Sequence, residues 1–400
     1  MPYRSFGGRN SRGPQRAYHA SSNNRRSNRG GNKEYIDPAR FIKAARSVET
    51  VAYVPKNMFA DFDVHELLHD NITKKGFTAP SPIQDQAIPA GLTGQDVIGI
   101  ANTGTGKTVA FAVPVLHKLM TDPNAKALIM APTRELATQI EDECRMLAKG
   151  SGLYGALLIG GAAMGPQLGD LRQNPSIVIG TPGRIKDHME RGSLDLSTFN
   201  IVVLDEVDRM LDMGFINDMR IILDAMAEGR QSFFFSATLD PKVRNLIYAE
   251  ANDPTTISVK TGETTDNVHQ DVVQYHRRED KLEQLHDLLI NTEGLKALVF
   301  DETQRSVEKL SQDLMARGFK ADVIHGGKSQ SQRQRALNRF KKNDVTILVA
   351  TDVAARGIDV ADITHVINYS TPQTYDDYVH RIGRAGRAGR TGYALTFIEK

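Results

Sequence analysis

The 400 residues are 40% hydrophobic and 24% charged, an ordinary composition for a soluble globular protein and more chain than one hydrophobic core usually organises, so two domains are expected. No apolar run reaches the roughly 18 residues of a membrane-spanning helix, and the arginine-rich start lacks an apolar signal core; the expectation is a cytoplasmic protein without a membrane partner. The net charge of +2 conceals an asymmetry: residues 1–33 carry seven Arg and one Lys with no acid, which leaves the remainder at a net charge of −6, so attraction to polyanions is expected mainly from the tail.

That tail is built from Gly, Arg, Ser and Asn, including Phe6-Gly7-Gly8-Arg9 and Asn28-Arg29-Gly30-Gly31. It holds too few apolar residues to offset ordering entropy and is expected to be disordered, serving either as an RGG-like arm that holds RNA by charge and stacking or as a solubilising segment. An extension over 34–56 follows. His65-Glu66-Leu67-Leu68-His69 matches the zinc-protease pattern, but Leu67 and Leu68 fit a plain helix and no third ligand follows at the required spacing, so the zinc reading is set aside.

Short runs that are apolar at every position then alternate with amphipathic stretches: Val97-Ile98-Gly99-Ile100, Ala127-Leu128-Ile129-Met130, Ile177-Val178-Ile179, Ile201-Val202-Val203-Leu204 and Phe233-Phe234-Phe235. Such runs suit strands buried on both faces, and helices between them give a parallel α/β sheet. Cys144 lies in a helical-looking stretch and reads as a small buried hydrophobe; as the single cysteine it excludes an internal disulfide. Pro114 falls inside the helix expected after Lys107, where it predicts a bend or a broken hydrogen bond. Low apolar content predicts a linker at 256–270, between a first domain over 57–255 and a second over 271–400. The rhythm resumes with Leu298-Val299-Phe300, Val345 to Val349 and Thr364 to Ile367. Thr303 is placed to cap a helix whose Val307, Leu310 and Leu314 share one face, with Gly318 at its end.

Two constellations carry chemistry. Ile98-Gly99-Ile100 runs into Ala101-Asn102-Thr103-Gly104-Thr105-Gly106-Lys107-Thr108, the strand, glycine-bearing loop and helix start of a phosphate loop. Backbone N–H groups there close around phosphate oxygens, Lys107 reaches the β and γ phosphates, and the Thr108 hydroxyl ligates Mg²⁺. About one hundred residues later the apolar strand at Ile201 ends in Asp205-Glu206-Val207-Asp208. Asp205 is placed to hold Mg²⁺ and Glu206 to orient and deprotonate the attacking water.

Asp-Glu-x-Asp together with Ser236-Ala237-Thr238 about 30 residues on resembles motifs II and III of DEAD-box helicases. The remaining motifs follow in order. Gly76-Phe77 through Pro80-Ser81-Pro82-Ile83-Gln84 resembles the Q motif with its upstream Phe59. Next come Pro132-Thr133-Arg134-Glu135-Leu136-Ala137, Gly160-Gly161, Thr181-Pro182-Gly183-Arg184, Val299-Phe300 with Thr303, Gln330 with Arg333, Thr351-Asp352 through Arg356-Gly357-Ile358-Asp359, and His380-Arg381-Ile382-Gly383-Arg384-Ala385-Gly386-Arg387. The series covers about four fifths of the chain. Val207 departs from the alanine of the family name, Gly327 stands where an acid is common, and the chain stops soon after Phe397, so a minimal or truncated second domain is expected.

The resemblance implies two tandem RecA-like domains with ATP between them, Gln84 reading adenine, an aromatic from Phe59 and Phe77 stacking on it, and Asp359 meeting the ribose. Arg384 and Arg387 from the far domain would neutralise charge in the phosphoryl-transfer transition state, so hydrolysis needs closure. Asp208, Ser236, Thr238, His380 and Arg381 would couple the metal site to the RNA. Pro132, Thr133, Arg134, Gly160, Gly161, Thr181, Gly183, Arg184, Gln330, Arg333, Thr351 and Asp352 would line a sequence-independent groove along sugar and phosphate. The expected activity is RNA-dependent ATP hydrolysis coupled to local duplex separation or RNP remodelling, with RNP or ribosome-assembly partners reached through the tail. Two rivals share these parts: a DNA translocase, which the Q-like segment disfavours, and a nucleotide-gated RNA clamp that does not unwind.

Overall fold

The computed structural model describes residues 35–45, 53–102, 104–259, 266–355, 358, 360, 362–386 and 390–400. The basic tail, Thr103, Asp359 and Arg387 lie outside the described residues.

Two parallel sheets follow one another along the chain. The first contains β1 (Val97–Ala101), β2 (Ala127–Met130), β3 (Gly155–Leu158), β4 (Ile177–Gly180), β5 (Ile201–Asp205), β6 (Gln231–Ser236) and β7 (Thr255–Val259) in the order β3-β4-β2-β5-β6-β1-β7. The second contains β8 (Val268–Tyr275), β9 (Ala297–Phe300), β10 (Ala321–Ile324), β11 (Ile347–Ala350), β12 (His365–Asn368) and β13 (Gly392–Glu399) in the order β10-β11-β9-β12-β13-β8. Helices separate the strands and cover both faces.

The reason is visible in β6. Phe233 and Phe235 join Ile129 and Val203 in one apolar cluster, whereas Phe234 joins Leu128 and Leu204 in another. Alternate side chains thus feed opposite faces, and both faces are dry. Burying each such side chain is worth roughly 1.5–3 kcal/mol. Because every strand pairing within the two sheets is parallel, the carboxyl ends of the strands share one edge of each sheet, where ligands of α/β folds bind.

Several sequence expectations change on contact with these elements. The helix Lys107–Thr121 runs unbroken through Pro114. Its ring lies against Gly91 of the helix Pro82–Leu92, where a Cβ would stand 2.8 Å from Pro114 Cγ; the missing donor removes one hydrogen bond without ending the helix. The linker is shorter than 256–270, because β7 and β8 take both ends of that range. Both are edge strands with one face wet, and β7 buries only Ile257 and Val259, so their polar alternation reads as loop.

The extension over 34–56 is not one unit either. Residues 35–45 lie on the second sheet, with Ile36 and Phe41 in its core, while Tyr53, Lys56 and Asn57 bind Asp85 beside the first. His65 precedes the helix Glu66–Lys74 as its cap, its Nδ1 accepting the N–H of Leu67 at 3.2 Å. Thr303 caps the helix Gln304–Ala316, which buries Val307, Leu310 and Leu314, and Gly318 follows at φ +91°. Cys144 is buried, its thiol pushed up to about 12 by desolvation. No helix among the described residues is long and apolar enough to cross a membrane.

Candidate active site

β1 delivers the chain into the phosphate loop, which turns through Gly104 (φ +82°) and Gly106 (φ +91°) before the helix begins at Lys107. Gly106 is required twice over. Its backbone is left-handed, and a Cβ would lie 2.3 Å from Gln84 Nε2. Gln84 spans the gap between the Q-like segment and this loop: its Oε1 accepts the N–H of Ser81 at 2.9 Å and its Nε2 donates to the Gly106 carbonyl at 3.0 Å. Ser81 Oγ donates to the Thr105 carbonyl at 2.7 Å.

Lys107 is buried, with Nζ donating to the Ala101 carbonyl at 3.1 Å, and Asn102 lines the same cavity. Phe77 stacks on Phe59 with centroids 5.5 Å apart. Phe59 itself is 2% exposed, so it supports Phe77 from below and cannot itself stack on a base; only Phe77 is half-open. Asp85 was not singled out from sequence, yet it organises the segment entering this site. It accepts hydrogen bonds from Tyr53 Oη, the N–H groups of Lys56 and Asn57, and Asn57 Nδ2. Burial alone would raise Asp85, but these bonds hold it below the ordinary carboxylate value.

β5 ends at Asp205, and the chain then turns sharply. Glu206 adopts φ 56° and ψ 54°, a left-handed conformation costing a non-glycine residue of order 1–3 kcal/mol. The turn lets both consecutive carboxylates sit at the sheet edge. Arg209, one helical turn on, pairs with Glu206 at 3.1 Å, and both side chains are 6% exposed. The spacing of three on a helix start was a legible signal for this pair. Burial would raise Glu206, but Arg209, Lys107, Arg384 and His380 together draw it below its ordinary value. Asp205 goes the other way. Desolvation, opposed by Lys107 and reinforced by Glu206, pushes it up to about 6. Val207 is fully buried in the cluster with Leu204 and Met210, so its extra methyls fill core and do not crowd the carboxylates.

A raised carboxyl means that the folded chain holds a proton which the unfolded chain has released between pH 3.8 and about 6. Stability linked to Asp205 is therefore present at low pH and lost as pH rises through that window. Asp205→Asn is expected to melt at higher temperature than the parent, by a margin that widens between roughly pH 4 and pH 6 and is constant from there to pH 8, while hydrolysis is lost. Thermal melts across that range check it; a margin independent of pH would refute the assignment.

Asp208 ties β5 to β6: its Oδ2 accepts the N–H groups of Ala237 and Thr238 at 3.1 Å each and Thr238 Oγ1 at 3.4 Å. Ser236 is buried beside them. From the second sheet, Val379, His380 and Gly383 complete the cavity lined by Lys107, Glu206, Asp208 and Arg209. Arg384 is 4% exposed, with Nη1 donating to the Ile358 carbonyl at 3.0 Å. Arg381 points elsewhere. Its fork grips Asp352 through Nε and Nη2 at 2.5 and 2.7 Å, and Nη1 reaches the Asn368 and Ser370 oxygens. Asp352 and Arg381 thus hold one another as a bidentate pair between two helices of the second domain.

A separate groove of about 400 Å³ opens between the sheets, lined in part by Pro132, Thr133, Gly160, Thr181, Gly183 and Arg184. Thr133 caps the helix Arg134–Leu147. Arg134 lies so close over the Gly160-Gly161 turn that a Cβ on Gly161 would stand 2.0 Å from its Nη1; the glycine pair makes room for the guanidinium. Arg184 Nη1 donates to the Ala162 carbonyl at 3.2 Å. From the second sheet come Arg333 and Val353. Arg333 pairs with Glu135 at 2.8 Å across the two sheets, the side chains 7% and 2% exposed, and burial raises the Glu135 carboxyl against the opposing pull of Arg333. Gln330 starts the same helix and is half-buried, and Thr351 is buried where β11 ends. Met213 and Phe215 add an apolar wall that sequence reasoning did not include.

A phosphate loop after β1, a buried acid pair at the end of β5 two places away in the sheet and cations supplied by a second parallel sheet define a P-loop nucleoside triphosphatase of two RecA-like domains. Residues 81–246 match the DEAD/DEAH box helicase family model and residues 280–389 the helicase conserved C-terminal domain model. The DEAD-box ATP-dependent RNA helicase CshA of Bacillus licheniformis is 43% identical over 342 residues, which cover 85% of this chain and 70% of that protein. A structure of S. cerevisiae Dbp5 bound to RNA and ADP BeF3 is similar with TM-score 0.75 at 28% identity, covering 86% of this chain and 89% of that one. A DEAD box protein of Methanococcus jannaschii is 40% identical with TM-score 0.51, covering 86% and 94%. The chain belongs to the DEAD-box family of ATP-dependent RNA helicases.

Proposed function

We propose that this chain hydrolyses ATP in the cleft between its two sheets and uses the closed arrangement to separate short RNA duplexes or remodel RNPs in the cytoplasm. The observation that carries the reading is the division of the catalytic groups: Lys107, Asp205 and Glu206 stand on one sheet, and His380 and Arg384 come from the other. Neither half is complete alone, so turnover waits on closure. The better superposition on RNA-bound Dbp5 than on the more identical M. jannaschii protein supports reading the present arrangement as closed.

Each residue then has a task. The loop N–H groups of residues 102–108 and Lys107 hold phosphate. Gln84 meets the adenine edge, Phe77 offers its face, and Asp359 takes the ribose. The hydroxyl of Thr108 and the carboxylate of Asp205 form a hard-oxygen donor set that suits Mg²⁺, and an ion there would supply charge to neutralise the β and γ phosphates. Glu206, held ionised by its cationic neighbours, accepts the proton of the attacking water. Arg384 and Arg387 balance charge on the equatorial oxygens. Asp208 and Thr238 carry changes at the acid pair to β6. Thr133, Arg134, Gly161, Thr181, Arg184 and Thr351 hold backbone sugar and phosphate without reading bases, and contact with 2′-hydroxyls favours RNA. The domains run over 53–259 and 266–400, the second including residues 35–45. The basic tail recruits RNA or RNP partners.

Steady-state ATP hydrolysis with no nucleic acid, single-stranded RNA or matched single-stranded DNA tests this reading, with release of a labelled strand from a short duplex alongside. Stimulation by RNA and not by DNA, with strand release, is expected. Equal stimulation by DNA would point to a translocase, and stimulation without release to a clamp.

A further inference from the structure

The segment from Tyr35 to Ala45 precedes the first domain in sequence yet is built into the second. Asp37 caps a single turn over Pro38–Phe41, its carboxylate accepting the N–H of Ala39 at 2.9 Å. Phe41, 1% exposed, meets the ring of Tyr378 at 4.7 Å, and the Arg40 guanidinium lies 3.6 Å over the ring of Tyr375. Lys43 pairs antiparallel with Gln270 on the outer edge of β8, with N–H to O distances of 3.0 and 2.8 Å. Gln270 in turn accepts from Tyr378 Oη at 2.9 Å.

Tyr375 and Tyr378 stand on the helix Tyr375–Ile382, and with Ile382 they follow the three-to-four residue spacing of one helix face. Val379 adjoins that face, His380 turns furthest from it, and with Gly383 at the helix end they line the phosphate cavity with Lys107 and Glu206; Arg384 follows directly. The helix that brings the second domain's cations to Glu206 is thus held along its flank by this segment. We propose that residues 35–45 form an intramolecular strap that sets the position of this helix, with Arg40 and Phe41 as positioning residues for ATP hydrolysis. The strap joins the rest of the chain through residues 46–52, which lead to Tyr53 and so to Asp85, next to Gln84.

The proposal rests on the helicase reading, and the parent protein's RNA-stimulated turnover is the control that separates the two. The variants are Phe41→Ala, Arg40→Ala and Arg40→Lys in the full chain, together with removal of residues 1–34, which takes away the basic tail and keeps the strap. Turnover is measured at saturating ATP and RNA, and KM for ATP and RNA separately. Phe41→Ala is expected to lower kcat about tenfold, because small misplacements of a catalytic group carry such penalties, with KM for ATP within about twofold. Arg40→Ala should lower kcat about threefold and Arg40→Lys should recover most of it, since a cation over the ring is retained. Arg40 is exposed, so this pair tests the idea even if Phe41→Ala unfolds. Loss of the tail should raise KM for RNA, a shift the strap variants should not show. A parent that does not hydrolyse ATP sinks the helicase reading; an active parent whose kcat is untouched by Arg40→Ala, or changed only in KM for RNA, sinks the strap alone.

Discussion

At saturating ATP and RNA, Glu206→Gln lowers kcat by about three orders of magnitude, the scale of a lost general base, while ATP still binds. Glutamine keeps the size and the left-handed turn but cannot take a proton. It also leaves Arg209, Lys107 and His380 facing one negative charge fewer, which favours retention of the phosphates. The variant should therefore hold RNA longer than the parent, because release follows hydrolysis. Single-turnover ATPase and the RNA dissociation rate in ATP measure both. A kcat within tenfold of the parent would remove Glu206 from the role of base.

Arg384→Ala is expected to lower kcat by about 1000-fold, the low end of what an arginine supplied across a domain boundary contributes to phosphoryl transfer. The residue is buried on the second sheet and its charge is felt at Glu206. Two readouts follow. KM for ATP moves little, since the other sheet makes the ground-state phosphate contacts. The acid limb of the kcat profile also shifts to higher pH, because loss of a cation lets Glu206 bind its proton more tightly. Arg384→Lys should not restore the rate, as an ammonium lacks the planar fork. Full activity in Arg384→Ala would leave Arg387 to carry the transition-state charge alone.

Much of this was legible in the residues, and the failures have physical causes. Strands buried on both faces announce themselves as unbroken apolar runs, so β1, β2, β4, β5 and the centre of β6 were visible as written. β7 and the start of β8 were read as linker because an edge strand shows only alternate apolar positions, and polar residues fill the rest. The phosphate loop and acid pair were readable because their chemistry demands particular residues in a particular order. What depended on a partner far away in sequence was not. The pairing of Arg381 with Asp352 joins residues 29 apart, and no local pattern announces it. Asp85 looks like a surface acid of a helix start until Tyr53, Lys56 and Asn57 converge on it. Phe41 looks like one residue of an unassigned extension until β8 and Tyr378 receive it.

The Glu135–Arg333 pair has a consequence for how strongly the two domains hold together. Both groups must leave water to form it, and for a buried pair the desolvation cost cancels much or all of the attraction. The contact thus adds little net drive to assembly, yet a misaligned approach would strand one buried charge without its partner, at about 3–5 kcal/mol. It works as a key that fits one register, not as a latch that keeps the register. A contact of this kind sets the register of closure without holding the domains shut, so the drive to close falls to whatever binds the closed arrangement more tightly than the open one.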